Sequence, residues 1–88
     1  MESLTSLQSR LQKKTMSGTT STAGTLSTGL SASNCTVLSA IVTSSDYPNG
    51  IYADVVIASN TFWLVVKNHA SQAVTNKTIT CYIYYVNF

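Results

Sequence analysis

Apolar and polar residues alternate along the last stretch of the chain, Thr78–Val86, with the period of two that a β-strand requires. One face of this stretch is apolar enough to be core, and the other carries hydroxyl groups, several of them on large flat rings. A strand with two such faces is expected in the middle of a sheet. The predicted core face is Ile79, Cys81, Ile83 and Tyr85, and the opposite face is Thr80, Tyr82, Tyr84 and Val86.

Runs of β-branched and apolar residues between turn signals predict four further strands. The sequence P-N-G at Pro48–Gly50 is strong turn chemistry, and Ser59–Asn60 has the length of a two-residue hairpin loop. The run at Thr36–Ser44 is apolar on both faces in its middle, which favours a central position in a sheet. The predicted strands are Thr25–Thr28, Thr36–Ser44, Ile51–Ala58 and Thr61–Lys67, and a polar loop follows at 68–76.

The first 14 residues are the only helical candidate. Leu4, Leu7 and Leu11 recur at spacings of three and four, as in a short amphipathic helix that forms a self-associating coil or the end of a longer stalk. A helix shorter than about 12 to 15 residues is marginal on its own, so the alternative is a frayed tail. Residues 15–23 are rich in Ser, Thr and Gly and are expected to form an extended linker.

Strands at short spacing without intervening helices argue against βαβ units and favour an all-β fold. We therefore predict a small antiparallel β-sandwich of about six strands at 24–88, preceded by a helix at 1–14 and a linker at 15–23. A single core stabilises a domain of about 65 residues only marginally, and such domains often oligomerise.

Charged residues are scarce. Five Lys/Arg and three Asp/Glu give a net charge of +2, and they make up 9% of the chain against about 25% in an average soluble domain. The sequence has no basic stripe that would neutralise phosphates, no apolar run of the ~18 residues that a membrane helix needs, and no signal-peptide pattern at its N-terminus. We expect neither a nucleic-acid partner nor membrane insertion.

The residue inventory argues against an enzyme. The chain has one His, two Asp and one Glu, and neither a nucleophile elbow nor a phosphate-binding or dinucleotide-binding glycine motif. Cys35 and Cys81 match no metal-ligand spacing. We expect no catalytic residues, no metal and no cofactor. The two cysteines are expected to be free and buried, with a disulfide as the alternative.

Aromatic residues provide the candidate binding surfaces. Trp63 is expected first in the core or at a subunit contact, and alternatively as a platform on which a sugar ring stacks. His69 is expected as a solvated loop residue, or else as a ligand contact. Tyr82 and Tyr84 would form a broad amphipathic patch, which is typical of interfaces. The candidate ligand-binding residues are Tyr47, Tyr52, Trp63, Asn68 and His69, and the candidate oligomer-interface residues are Leu4, Leu7, Leu11, Tyr82 and Tyr84.

Three segments, Thr25–Thr43, Thr61–Asn68 and Thr78–Val86, follow a leucine-repeat segment and a Ser/Thr/Gly linker. In this arrangement the chain resembles the distal part of tailed-bacteriophage tail fibres and receptor-binding proteins, and in outline it is also similar to small lectin-like sandwich domains. The resemblance implies a homotrimer with a β-sandwich head at the fibre tip that binds saccharide or protein on a cell surface. The chain is short and lacks a virion-attachment domain, so we expect a fragment or a small accessory protein such as a head fibre or capsid decoration.

The expected function is therefore that of a phage fibre-tip or receptor-binding module that recognises a host cell-surface glycan as a homotrimer. Its expected location is the virion, assembled in the bacterial cytoplasm and exposed on the particle. The alternative is a structural virion protein, either a capsid decoration or a fibre subunit, that contacts only other virion proteins.

Overall fold

The computed structural model describes residues 10–88, and residues 11–88 form six strands and no helix. Sheet A has the order β1-β6-β3 and sheet B the order β2-β5-β4, and all neighbouring strands are antiparallel. This arrangement confirms the predicted all-β antiparallel fold, with five of the six strands inside the predicted range 24–88 and one before it. The strands are β1 (Leu11–Thr19), β2 (Thr25–Ser31), β3 (Cys35–Ser45), β4 (Ile51–Ala58), β5 (Thr61–Asn68) and β6 (Thr78–Asn87).

The core lies between the two sheets and depends on their central strands. Alternate residues of β5 and β6 are buried because each of these strands has a neighbour on both sides and a sheet across from it. Val74, from the loop before β6, also enters the core. The central cluster of fully buried residues consists of Leu64, Val66, Val74, Ile79, Cys81 and Ile83.

The predicted inward face of β6 is confirmed for most of its length, but the burial at its end differs from the prediction. Tyr85 is only half-buried, whereas Val86, which was assigned to the outward face, is 7% exposed. β6 pairs with β1 without interruption through both residues, and Tyr85 lies opposite Val37, which packs against the core. The difference is therefore in how far each side chain is buried and not in the side to which Tyr85 points.

The predicted helix and linker boundaries are corrected by β1. Residues 11–14, assigned to the end of the helix, and residues 15–19, assigned to the linker, form one strand that pairs residue by residue with β6. The backbone hydrogen bonds that β6 offers outweigh the weak local preference of this segment. Leu11 therefore lies on a strand and is 42% exposed, while Leu4 and Leu7 lie outside the described residues.

The predicted central position of the Thr36–Ser44 run is also wrong. β3 is an edge strand, and its register with β6 shifts twice, between Val37 and Ser39 and between Val42 and Ser44. Each bulge adds a residue without a partner and rotates the strand. As a result, Leu38 and Ile41 point away from the core and are 55% and 53% exposed.

The two cysteines are free and buried, as predicted in preference to a disulfide. Cys35 lies opposite Asn87, at the far end of β6 from Cys81, which is paired with Val42. Six residues of extended strand separate Asn87 from Cys81, or about 20 Å. A disulfide requires Cα atoms within about 7 Å, so the sheet register does not allow these two residues to form one.

A lysine and a glycine of β1 contact β2 across the gap between the two sheets. Lys14 points inward from β1, and its Nζ donates to the carbonyl of Thr28 on β2 at 2.7 Å. At Gly18 a Cβ atom would lie 2.8 Å from Cδ1 of Leu26, so a larger residue at this position would require the Leu26 side chain to move. These contacts bring the edge of sheet A against the edge of sheet B.

The predicted two-residue hairpin between β4 and β5 is confirmed. Ser59 and Asn60 both have positive φ angles, 50° and 58°, as the twist of a two-residue hairpin requires. Serine tolerates this backbone conformation poorly, whereas asparagine is common in it. The Asn60 side chain also donates to the hydroxyls of Ser31 and Ser33, at 3.2 and 2.7 Å.

Ser59→Gly is expected to raise the free energy of unfolding by about 0.5 to 1 kcal/mol, because glycine adopts the positive φ without a steric cost. The matched variant Asn60→Gly relieves the same kind of strain but removes the two amide hydrogen bonds, so we expect little or no net gain from it. Urea unfolding of the three proteins measures both changes. A loss of stability in Ser59→Gly would contradict this account of the turn.

Candidate functional site

The outer face of sheet B carries two of the predicted ligand-binding residues, Tyr52 and Trp63. On this face Tyr52 lies opposite Lys67, Asp54 opposite Val65, and Val56 opposite Trp63. Val56, which lies opposite Trp63, is four residues from Tyr52 along β4. At about 3.3 Å per residue, Tyr52 and Trp63 are therefore about 13 Å apart along the strand direction. We call this surface the sheet B platform, consisting of Tyr52, Asp54, Val56, Trp63, Val65 and Lys67.

The two aromatic residues of the platform are held differently. Trp63 is half-buried, and its Nε1 donates to the carbonyl of Ala58 at 3.3 Å, which orients the indole across β4. Tyr52 is 41% exposed, and its hydroxyl lies 3.4 Å from the Ser71 hydroxyl. The expectation that Trp63 packs in the core is wrong within the protomer, because Trp63 shares the outward face of β5 with Thr61, Val65 and Lys67 while Phe62, Leu64 and Val66 are buried.

Asn68, another predicted ligand-binding residue, organises the loop after β5. Its Nδ2 donates to the Tyr47 hydroxyl at 3.1 Å and to Gln72 Oε1 at 3.2 Å, and its Oδ1 accepts from the backbone N–H of Ala70 and of Gln72. An amide side chain has two donor hydrogens and two acceptor lone pairs, so these contacts use all of them. Asn68 is also 7% exposed, and we do not include it in the binding surface.

The remaining ligand candidates lie at the same end of sheet B but differ in exposure. Tyr47 is half-buried against the core, and its hydroxyl accepts from Asn68. His69 is exposed in the loop that Asn68 holds. Tyr52 and Trp63 therefore share one outward face of sheet B. Tyr47 is hydrogen-bonded to Asn68, and His69 is exposed in the loop that follows Asn68.

Tyr82 and Tyr84, the predicted interface residues of β6, are half-buried on the outer face of sheet A. Ile41 lies opposite Tyr82, and Ser39 opposite Tyr84. The Lys13 ammonium stands 4.4 Å above the centre of the Tyr82 ring, a cation–π contact. Together with the exposed Leu38, these residues form what we call the sheet A patch, consisting of Leu38, Ile41, Tyr82 and Tyr84.

The other half of the same face is covered by hydroxyl groups. Ser17 and Thr80 are joined across β1 and β6 at 2.8 Å, and Thr19 and Thr78 at 3.2 Å. Cross-strand hydroxyl pairs of this kind stabilise a sheet while keeping its surface polar. Sheet A therefore has an apolar half and a polar half. The sequence did not reveal the apolar contribution of β3, because Leu38 and Ile41 look like core residues until the bulges are known.

Residues 10–88 enclose no pocket, and no group of three or more His, Cys, Asp and Glu side chains lies together among them. Asp46 accepts a hydrogen bond from the backbone N–H of Thr78 at 3.0 Å and so holds the start of β6. Burial raises the pKa of the Cys81 thiol, which keeps it protonated and unreactive at neutral pH.

Comparisons of the chain with models of known protein families, with curated proteins and with solved structures found no match. Across residues 10–88 the structure has no helix of the length and apolarity needed to span a bilayer. The fold and the geometry of its surfaces are thus the basis for any functional proposal.

Asn68→Ala is expected to lower the free energy of unfolding by about 2 to 3 kcal/mol, because it removes four hydrogen bonds and leaves the Tyr47 hydroxyl without its donor. Gln72→Ala is the control, since it removes one exposed side-chain contact and should cost less than about 1 kcal/mol. Urea unfolding measures the loss, and amide hydrogen exchange at Ala70 and Gln72 reports whether the loop has opened. Equal effects of the two variants would contradict the assigned role of Asn68.

Proposed function

We propose that this chain is the head of a phage fibre-tip or receptor-binding protein, and that it recognises a host cell-surface glycan as a homotrimer. The observation that carries the proposal is the sheet B platform, on which Tyr52 and Trp63 share one outward face. Ring faces suit the C–H faces of saccharides, and nearby polar groups provide directional hydrogen bonds. On this platform Asp54 and Lys67 lie beside the aromatic residues.

The shape of the platform favours a chain-like ligand. The described residues enclose no pocket into which a single sugar could be taken, and the two aromatic positions are about 13 Å apart along the sheet. An extended glycan could contact both rings at once while its hydroxyls meet Asp54, Lys67 and the Ser71 hydroxyl next to Tyr52. Asn68, which is hydrogen-bonded to Tyr47, holds the loop that contains His69 and Ser71.

Tyr52→Ala and Trp63→Ala are each expected to weaken glycan binding by at least about tenfold, because each removes one stacking surface. Tyr52→Phe is the matched control for the first variant, since it keeps the ring and loses only the hydroxyl. Binding is measured with the full chain on an array of bacterial capsular and lipopolysaccharide O-chain glycans, followed by calorimetry on those retained. Thermal unfolding of each variant separates loss of binding from loss of fold.

Two results would oppose the glycan proposal. One is unchanged affinity in both alanine variants that remain folded. The other is the absence of binding to any glycan of the array and to host cells, together with firm attachment to capsid or tail proteins.

The proposed trimer is supported by the sheet A patch. Leu38 and Ile41 are more than half exposed, and they adjoin the broad rings of Tyr82 and Tyr84. Apolar side chains that cluster with aromatic rings on a surface are typical of protein interfaces. In a domain with so few charges, burial of this patch against other copies provides the stabilisation that a small core lacks. Virion exposure follows from the same proposal.

Light scattering of the full chain is expected to give a mass near three times 9.4 kDa. Ile41→Lys should shift that mass towards the monomer, because it places a charge in the centre of the apolar patch. Thr19→Lys is the control, since it adds the same charge to the polar half of the same face. A monomeric wild-type chain at micromolar concentration would oppose the trimer.

A structural virion protein is the second candidate, and the same sheet A patch supports it. If this patch contacts capsid or tail proteins and not other copies of the chain, the head is a decoration or fibre subunit with protein contacts only. In that case Ile41→Lys should abolish attachment to the particle, whereas Tyr52→Ala and Trp63→Ala should not affect it.

A further inference from the structure

Four strands form the edges of the two sheets: β1 and β3 in sheet A, and β2 and β4 in sheet B. An edge strand presents unpaired backbone N–H and C=O groups to which another strand can pair. Proteins commonly block such edges with lysines, bulges, prolines or inward-pointing charges. The four edges of this chain differ in how they are blocked.

Three of the edges carry a blocking device. β1 carries two lysines, and Lys14 is turned inward onto the carbonyl of Thr28. The register of β2 is broken between Ser27 and Ser31, around Gly29 with its φ of 73°. The register of β3 with β6 is interrupted by two bulges. Each of these features prevents a long, flat pairing with a further strand.

β4 has none of these devices. It pairs with β5 without interruption from Ile51 to Ala58, and it contains no proline and no lysine. Val56 and Ile57 are 43% and 61% exposed near its end. The only charged residue of the strand is Asp54. A long, uninterrupted edge with a single charged residue is a site for strand pairing.

We propose that β4 is a docking site for β4 of a second copy of this chain, and that the two strands pair antiparallel about a two-fold axis at Val55. Because the hairpin loop Ser59–Asn60 has two residues, Ala58 and Thr61 form a hydrogen-bonded pair. Along an antiparallel ladder such pairs alternate with non-hydrogen-bonded pairs, whose backbone groups point away from the partner strand. The backbone groups of Ala53, Val55 and Ile57 therefore point away from β5, and they are the groups that pair with the second copy.

The choice of partner and register follows from parity and charge. The two copies of sheet B share the same inner face only if odd-numbered residues of β4 lie opposite odd-numbered residues and even-numbered opposite even-numbered. Among such registers, the one centred on Asp54 sets two carboxylates against each other, which is destabilising. The register centred on Val55 places Asp54 opposite Val56 and Ile57 opposite Ala53, so it is self-complementary. It also pairs seven residues of each strand, from Tyr52 to Ala58, whereas a Val56 centre pairs only five.

The pairing uses the edge of sheet B, whereas the proposed trimer uses the outer face of sheet A. Because it would link heads of different trimers, we expect it only above the protein concentration at which light scattering gives the trimer mass. It joins the two copies of sheet B into one continuous sheet, with both platforms on the same outer face. The inference rests on the edge geometry of β4 and does not depend on glycan binding.

Cross-linking through an introduced cysteine tests the pairing. In the Val55-centred register, the two copies of residue 56 lie about 8 Å apart between Cα atoms, whereas the two copies of residue 52 lie about 20 Å apart. Val56→Cys should therefore give covalent dimers with a bismaleimide of about 8 Å reach, and Tyr52→Cys should not. The two positions are closely matched, because they lie on the same face of one strand with exposures of 43% and 41%, and the native cysteines are buried.

A second substitution tests the edge itself. Ile57→Lys in the Val56→Cys chain should reduce the yield of covalent dimer by about tenfold, because it sets a charge opposite Ala53 of the other copy. Thr22→Lys, which adds the same charge in the exposed connection before β2, should leave the yield unchanged. Equal cross-linking of Val56→Cys and Tyr52→Cys, or no cross-linking of either, would overturn the proposal without bearing on glycan binding.

Discussion

The structure depends on the packing of β6 against β5 across the space between the two sheets. Ile79, Cys81 and Ile83 from one central strand meet Leu64 and Val66 from the other, and all five side chains are fully buried. Among residues 10–88, this is the one place where two strands with neighbours on both sides face each other. The other four strands are edges, and most of their inward side chains are only partly buried.

The loops hold the start of β6 so that this packing has one register. Thr20, which is 2% exposed, exchanges hydrogen bonds with the backbone of Lys77, and Asp46 accepts from the N–H of Thr78. A strand that slips by one residue turns all its core side chains to the other face. Fixing residues 77 and 78 by side chains from two different connections therefore protects the core as a whole. These contacts account for the burial of the Thr20 hydroxyl and for the hydrogen bond that the Asp46 carboxylate accepts.

The surfaces follow from the small size of the core and the scarcity of charge. With few ion pairs or long charged side chains available, aromatic rings, hydroxyl pairs and exposed aliphatic groups cover both outer faces. The sheet A patch and the sheet B platform lie on opposite faces of the molecule, and the β4 edge lies on its flank.

The alternation of residues by itself determined four strands to within two residues, the Ser59–Asn60 hairpin, and the outward position of Tyr82 and Tyr84. These features are local, since a period of two and a two-residue loop need no distant partner. Only the tertiary structure decided that 11–19 is a strand, because its hydrogen bonds come from β6, more than 50 residues away. In the same way, the bulges of β3 made Leu38 and Ile41 surface residues, and the loop contacts of Asn68 made a candidate ligand contact into a structural residue. Such outcomes depend on which strands become neighbours, and the residue pattern of one segment does not specify which strands those are.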